Sequence, residues 1–307
     1  MFVSTKFNDL DLLRENVVDW NLDFLPLGAG KFEFSITQGF LETIMIGQGN
    51  FYGKLEQQGL TPEGFRTFVI PAFDNVHYTW RNKPLHGRSL SLFPTNGELF
   101  SISDSSFNVY TLSFRQDVFQ RILATKKNTR LEQAVAGENV WDLDVRTTDY
   151  LRSLSKYFLE ALASNHNVAQ NSEQILHAIF NAIAHQEGRG DQNEKGLLII
   201  EEATQWLKLH SARDFRMHDL HKSIGLGERT LQNLFKETYG LTPKQYVTNF
   251  RIRRVHELLK QAHHSQTIAD ISAKQGFWHM GQFAKDYKQL IGELPSETLK
   301  RKRNFSR

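Results

Sequence analysis

The sequence predicts an α+β protein, with an N-terminal antiparallel β-barrel or sandwich followed by an all-α C-terminal domain. Three observations carry this. The N-terminal half holds short, often alternating apolar stretches separated by Gly, Pro and Asn turns, the pattern of antiparallel strands. The C-terminal third holds apolar residues at helical spacing, arranged twice in the same order. Charge divides along the same line: Glu194–Arg307 carries 20 Lys and Arg against 12 Asp and Glu, a net +8, whereas Met1–Asn193 carries 17 against 22, a net −5.

The strands are read from "KFEFSIT", "FLETIMIG", "FRTFVI", "RSLSLF", "ELFSIS" and "NVYTLSF". "LSFRQDVFQRILA" then turns from strand into helix, and two amphipathic helices follow. Leu151, Leu154, Phe158 and Leu162 stripe the first. Ile175, Leu176, Ile179, Phe180 and Ile183 stripe the second. The polar, glycine-rich "EGRGDQNEKG" (Glu187–Gly196) breaks the helical pattern and reads as a linker. The predicted organisation is residues 1–187 (barrel about 1–125, helices about 144–187), a linker at 188–196, and a second domain at 197–307.

Composition narrows the function classes. The chain has no cysteine, which excludes disulfides, thiolate catalysis and cysteine-ligated zinc. No run of 18 or more apolar residues is present, so no membrane-spanning helix is expected. The N-terminus is acidic where an export signal is basic and then apolar, and the reading is a cytoplasmic protein. His77 and His86 stand nine apart without a His-x-His pair, so no metal and no cofactor are expected. No nucleophile elbow or phosphate-binding glycine motif appears, and the chain does not read as an enzyme. Phe32, Phe34, Trp80 and Phe93 are candidates to line a small-molecule cavity; the packed core is the alternative for each.

The basic third contains an internal repeat. "ERTLQNLFKETYGLTP" and "MGQFAKDYKQLIGELP" place Leu231, Phe235, Gly240 and Pro243 opposite Phe283, Tyr287, Gly292 and Pro295, each pair 52 residues apart. Ile224 and Gly276 hold the same offset. Each copy reads as two short helices joined by a tight turn, the second ending at a glycine, which is the helix-turn-helix arrangement. Between them "PKQYVTNFRIRRVHELLKQ" predicts a helix of about 25 Å. That spacer suits two reading helices roughly 34 Å apart, one turn of B-DNA.

"LFKETYGLTPKQYV", "RIRRVHELL", "TIADISAKQGF" and "FAKDYKQLIGELPSETL" together resemble the DNA-binding domain of AraC/XylS-type transcriptional regulators over about the last 100 residues. The resemblance implies seven helices with two helix-turn-helix units, a cupin-like N-terminal barrel that holds an effector, and dimerisation through the helical pair. His221 and Ser272 stand where the family usually has alanine; the serine fits such a helix crossing, and the histidine is expected to turn its ring to solvent. The resemblance implies base and phosphate contacts from the outward residues Arg229, Thr230, Gln232, Asn233 and Lys236 in the first unit. In the second they are His279, Met280, Gly281, Gln282, Lys285 and Lys288. Such side chains have the chemistry for groove contacts. Arg is a bidentate donor to guanine, Gln and Asn pair with adenine, and Lys serves phosphate or guanine. Leu154, Phe158, Ile179 and Ile183 are the candidate dimer residues, and Trp206 is expected in the core. One of Arg251, Arg253 and Arg254 is expected to pair with Glu257.

The function expected from these readings is a sequence-specific regulator of transcription. Its partners are double-stranded DNA, a second copy of itself, a small effector and RNA polymerase. A DNA-binding protein whose N-terminal domain only dimerises or docks a protein is the first alternative. A cupin-type enzyme fused to a DNA-binding domain is the second.

Overall fold

A computed structural model describes residues 1–28, 32–81, 83–94, 98–104, 106–164, 173–184, 186, 194–211, 217–263 and 266–305. It divides into two compact units. The first comprises Met1–Phe24, Phe32–Tyr52 and Gln57–Gln192; the second comprises Leu25–Lys31, Gly53–Glu56 and Asn193–Arg307. Residues 187–193 of the expected linker lie outside the described residues.

The elements begin with β1 (Phe2–Phe7), α1 (Leu10–Asn16), β2 (Asn21–Pro26), β3 (Glu33–Phe40), β4 (Ile44–Tyr52) and β5 (Leu55–Leu60). Next come β6 (Phe65–Pro71), β7 (Tyr78–Trp80), β8 (Lys83–Leu85), β9 (Ser89–Leu92), β10 (Glu98–Ser103) and β11 (Ser106–Arg115). They are followed by α2 (Gln116–Thr125), α3 (Thr129–Ala134), β12 (Asn139–Asp142), α4 (Val145–Ala163) and α5 (Gln174–Ile183). The strands form a seven-stranded sheet, β1-β3-β4-β11-β6-β9-β12, and a five-stranded sheet, β2-β5-β10-β7-β8. The closed barrel that the resemblance implies is not formed: the strands belong to two separate sheets. "FLETIMIG" is not one strand either. β3 ends at Phe40, and the chain turns there before β4 begins at Ile44.

Side-chain alternation assigns the two faces of the larger sheet. Ile44, Ile46, Phe68, Ile70, Leu112 and Phe114 join Phe119, Leu151, Phe158, Ile175, Ile179 and Phe180 in one continuous core. That face lies under α2, α4 and α5. Intervening positions such as Ile36, Phe51, Val69 and Val109 point to the other side and line a cavity. A strand buried on both faces needs apolar residues at consecutive positions, which explains "FVI" in β6 and "VYTLSF" in β11.

The second unit is helical: α6 (Glu194–His210), α7 (Met217–Ile224), α8 (Glu228–Tyr239), α9 (Pro243–Gln261), α10 (Ile268–Lys274), α11 (Met280–Ile291) and α12 (Pro295–Phe305). Ile200, Ala203 and Leu207 are the buried stripe of α6. Trp206 is only partly buried and stacks on His210 at 4.0 Å, which corrects its expected core role. No helix among the described residues is long and apolar enough to cross a membrane.

Phe180 tests the first unit's core. It is fully buried and meets the Phe119 ring edge-on at 5.1 Å. Phe180→Ala should lower unfolding free energy by about 3–5 kcal/mol, because it deletes a buried ring and leaves a cavity. Urea denaturation followed by circular dichroism measures this.

Candidate nucleic-acid interface

Two helix pairs build the candidate site. In the first, α7 and α8 meet at a turn whose Gly225 has φ +72°; in the second, α10 and α11 meet at a turn whose Gly276 has φ +80°. Both turns need a left-handed residue, and glycine adopts it without steric cost. The 52-residue offset aligns Ile224 with Gly276, but the turn glycine of the first unit is Gly225, one of the two glycines, with Gly227, that the sequence places around that turn. α8 and α11 begin 52 residues apart, but their turn glycines are 51 apart. From turn glycine to helix start, the second connection is one residue longer.

Each second helix is anchored by two inward side chains four residues apart. Leu231 and Phe235 are fully buried in α8; Phe283 and Tyr287 are buried in α11. Phe235 packs on Tyr246 of α9 at 5.7 Å. Phe283 and Tyr287 join Ile252, Val255 and Leu259 of α9. Phe277 closes the second turn against Phe283 at 4.8 Å. The Tyr287 hydroxyl bonds His256 Nδ1 at 2.7 Å and Thr298 Oγ1 at 2.8 Å. Burial holds the Tyr287 phenol above its ordinary pKa. One central helix therefore supports both units, and each rides on it by aromatic packing.

With those anchors inside, the remaining faces are set by 3.6-residue periodicity. Arg229, Thr230, Gln232, Asn233 and Lys236 are all exposed, as are His279, Met280, Gly281, Gln282, Lys285 and Lys288. Arg229, Lys236, Lys285 and Lys288 form no ion pair among the described residues. Two of the amides are already held: Gln232 Nε2 donates to Glu228 at 3.0 Å, and Gln282 Nε2 to Asp286 at 2.7 Å. These intrahelical bonds preset rotamers that a base edge would have to compete for.

Capping separates supporting from outward helices. α9 and α10 open with full capping boxes, Thr242 with Gln245 and Thr267 with Asp270. The outward helices α8 and α11 start at Gly227 and His279 with no side-chain cap. Their first-turn N–H groups are left open to an external acceptor such as a phosphate oxygen. The signal for this in the sequence is the lack of Ser, Thr, Asp or Asn at those two N-caps, a feature that the repeat pattern alone does not bring out. Trp278, which the sequence leaves open between packing on the turn and facing a DNA backbone, is 68% exposed beside the α11 N-terminus.

The three central arginines do not act alike. Arg251 donates from Nε to the Ser211 carbonyl at 2.5 Å and lies against Gly276. Arg253 is buried, and Arg254 bonds Glu257 at 3.0 Å. His221 is only partly exposed, with Nε2 out of solvent, so its ring does not turn wholly outward. Ser272 is fully buried and bonds the Ile268 carbonyl at 2.7 Å, which suits a helix crossing.

Residues 220–301 match a family model described as a helix-turn-helix domain. Over 107 residues the chain is 32% identical to the XylDLEGF operon transcriptional activator of Pseudomonas putida, covering 34% of this chain and 33% of that protein. The C-terminal segment is a helix-turn-helix domain of the AraC/XylS type. The HTH-type transcriptional activator RhaS of Mannheimia succiniciproducens is 27% identical over 158 residues, 50% of this chain and 56% of that protein. A probable AraC family transcriptional regulator from Rhodopseudomonas palustris, known as a crystal structure, is 26% identical over 34% of this chain and 97% of its own, with a TM-score of 0.33. The matched part of the chain spans about a third of the length of the P. putida activator. The AraC/XylS-type domain thus accounts for the doubled helix pair.

The other candidate residues lie in the first unit. Phe93 lines the cavity between its sheets. Trp80 is buried behind Phe93, with ring centroids 4.7 Å apart, and Phe34 packs between Phe32 and Phe51. None of Phe32, Phe34 and Trp80 lines the cavity, because their rings are used in packing with neighbouring rings. Of the candidate dimer residues, Phe158, Ile179 and Ile183 are buried in the first unit's own core, and only Leu154 remains partly exposed. His77 is exposed, and His86 lies 3.1 Å from Asp142.

Substitutions in the AraC/XylS-type domain should separate reading from support. Gln282→Ala should leave melting nearly unchanged and cost about 1–3 kcal/mol of discrimination at one base pair. Lys285→Ala should weaken binding to all sequences alike and reduce the salt slope by about one if its contact is phosphate. Phe283→Ala should destabilise the domain by about 3–5 kcal/mol. Thermal melts and titrations against a panel of duplexes read these out. Unfolding by Gln282→Ala, or normal melting of Phe283→Ala with lost binding, contradicts the assignment.

Proposed function

We propose that the whole chain is a sequence-specific DNA-binding regulator of transcription that responds to a small effector held in the first unit. The observation that carries the first half is the doubled helix pair, whose exposed faces present Arg, Asn, Gln and uncommitted Lys on a segment of net charge +8. A groove-reading surface needs donors that are rigidly presented and cations not already paired within the protein. The similar P. putida protein is named for transcriptional activation of an operon. A regulator, not an enzyme, is therefore the reading, with duplex DNA as its partner and RNA polymerase as the machinery it acts on. The effector half rests on the cavity between the two sheets, which the resemblance to cupin-like effector domains leads one to expect.

Assembly as a homodimer belongs to the same proposal, through α4, one of the two expected helices, with Leu154 kept and Phe158, Ile179 and Ile183 replaced by exposed neighbours. Tyr150, Leu154 and Tyr157 stand at i, i+4 and i+7 on α4, and the two tyrosines are 58% and 57% exposed. The two tyrosines stand clear of the core that holds Leu151 and Phe158, while Leu154 between them packs partly against it. Two tyrosines and a leucine on one helix face resemble the aromatic-rich centre of protein interfaces.

Full-length protein should bind duplex DNA with an affinity that falls steeply with salt, by a log–log slope of roughly −0.9 per phosphate contact. Filter binding across salt concentrations measures it, and a flat salt response removes the electrostatic argument. Tyr150→Glu and Tyr157→Glu should yield folded monomers in sedimentation velocity, since both side chains are exposed. Phe158→Glu and Ile179→Glu should unfold the first unit by burying an unpaired charge. Persistence of the dimer in both tyrosine variants places the interface elsewhere.

A further inference from the structure

The cavity in the first unit has a definite construction. β3, β4 and β11 are neighbours, so residues opposite one another form rows across three strands. One row is Phe34, Phe51 and Phe107; the next is Ile36, Gly49 and Val109; the third is Gln38, Gly47 and Thr111. In two rows the middle position has no side chain. The glycines therefore leave a furrow along β4, walled by Ile36 and Val109 and closed at one end by Phe51 and Phe107. A Cβ on Gly47 would lie 2.5 Å from the Thr111 hydroxyl, and one on Gly49 would lie 3.2 Å from the Phe51 ring. Glycine in a strand interior marks a close approach; here the Thr111 side chain leans over Gly47 and the Phe51 ring over Gly49, so the furrow that remains is narrow. The resulting cavity is about 70 Å³, smaller than the roughly 150 Å³ that accepts benzene, so its ligand is small or narrow.

The lining states the chemistry. No Asp, Glu, Lys, Arg or His lines the cavity among the described residues. Three of its polar side chains are already committed. Gln38 exchanges two hydrogen bonds with the Val18 backbone, at 3.1 and 3.3 Å. Gln48 donates to Asn108 at 3.0 Å, and Ser101 to the Thr79 carbonyl at 2.9 Å. Gln57 differs. It is 4% exposed, lines the cavity, and its Nε2 has no hydrogen-bond acceptor. The Tyr78 hydroxyl, also lining the cavity and buried, has Ser91 nearby but makes no hydrogen bond of ordinary geometry. A buried amide N–H left without an acceptor is costly, and native interiors nearly always satisfy one.

We infer that this cavity takes a small uncharged ligand, largely apolar, with one carbonyl or hydroxyl oxygen that accepts a hydrogen bond from Gln57 and meets the Tyr78 hydroxyl. Carboxylates are disfavoured, because an ionised carboxylate in this lining finds no cation and loses its hydration. The inference rests on the reading of the first unit as an effector domain, and names the effector's class.

The test uses the whole chain and probes of four non-hydrogen atoms, smaller than benzene: acetone and 2-propanol as neutral ligands, acetate as the carboxylate. Isobutane serves as the apolar control. Calorimetry and thermal melting should show binding of the two neutral oxygen compounds and none of acetate at the same concentration. Gln57→Leu keeps the bulk and removes the amide; it should weaken acetone roughly tenfold while leaving isobutane unchanged. Gly49→Val should block all of them. Acetate binding as well as acetone overturns the ligand class and leaves the effector reading standing. Absence of binding by every neutral probe, or an equal loss of isobutane and acetone in Gln57→Leu, overturns the proposed site. Neutral binding that leaves DNA affinity unchanged upholds the ligand class and removes the effector reading instead.

Discussion

The second unit depends on one constraint: a three-turn helix is marginal alone and holds its place only by burying one face. In α11 that face is Phe283 and Tyr287, packed on α9. Once those rings are inside, the helix cannot rotate without exposing them, and Gln282, Lys285 and Lys288 have no orientation left but outward. The outward chemistry is therefore a consequence of core packing. α8 repeats the solution with Leu231 and Phe235. Tyr287 adds a polar element, since its hydroxyl joins His256 on α9 to Thr298 on α12. A satisfied buried network of this kind specifies how the elements seat, beyond what apolar contact alone selects.

The first unit applies the opposite principle to make space. Its larger sheet is buried on both sides, and on one side the packing is continuous from Ile44 to Ile183. On the other, Gly47 and Gly49 interrupt rows that Ile36, Val109, Gln38 and Thr111 would otherwise close. A protein interior normally fills to crystal-like density. Two glycines spaced by two on one strand remove side chains from the same face, and a neighbouring pair of residues would not do so.

Much of the second unit is legible in one sequence. The 52-residue repeat, the terminal glycines and the apolar spacing set the inward and outward residues of α8 and α11, because helix periodicity is local. Legibility ends where tertiary surroundings intervene. A constant offset pairs Gly276 with Ile224 and so does not by itself show that the stretch from turn glycine to helix is one residue longer in the second unit, although Gly225 is legible as a turn residue. Hydrophobicity places Trp206 in the core, whereas it stacks on His210 at the surface side of α6. In the first unit β1, β2, β5 and β12 do not stand out as strands, for their short runs carry mixed or polar residues such as "LEQQGL". Strand identity there comes from pairing with distant segments.

Composition and periodicity act within a few residues of each other, so the chain alone settles the two-part α+β organisation, the charge division and the outward side chains of α8 and α11. Which apolar stripes are spent is settled in three dimensions. Phe158, Ile179 and Ile183 satisfy the same helical pattern as an interface, yet they are buried under the sheet, while Tyr150 and Tyr157 on the polar-looking side of α4 stay exposed. Folding likewise puts Phe93 in the cavity wall and keeps Phe32, Phe34 and Trp80 out of it, and it brings Gly47, Gly49 and Gln57 there. An amphipathic pattern states that a face must be covered; what covers it depends on elements far away in the chain, and those meet only in the folded protein.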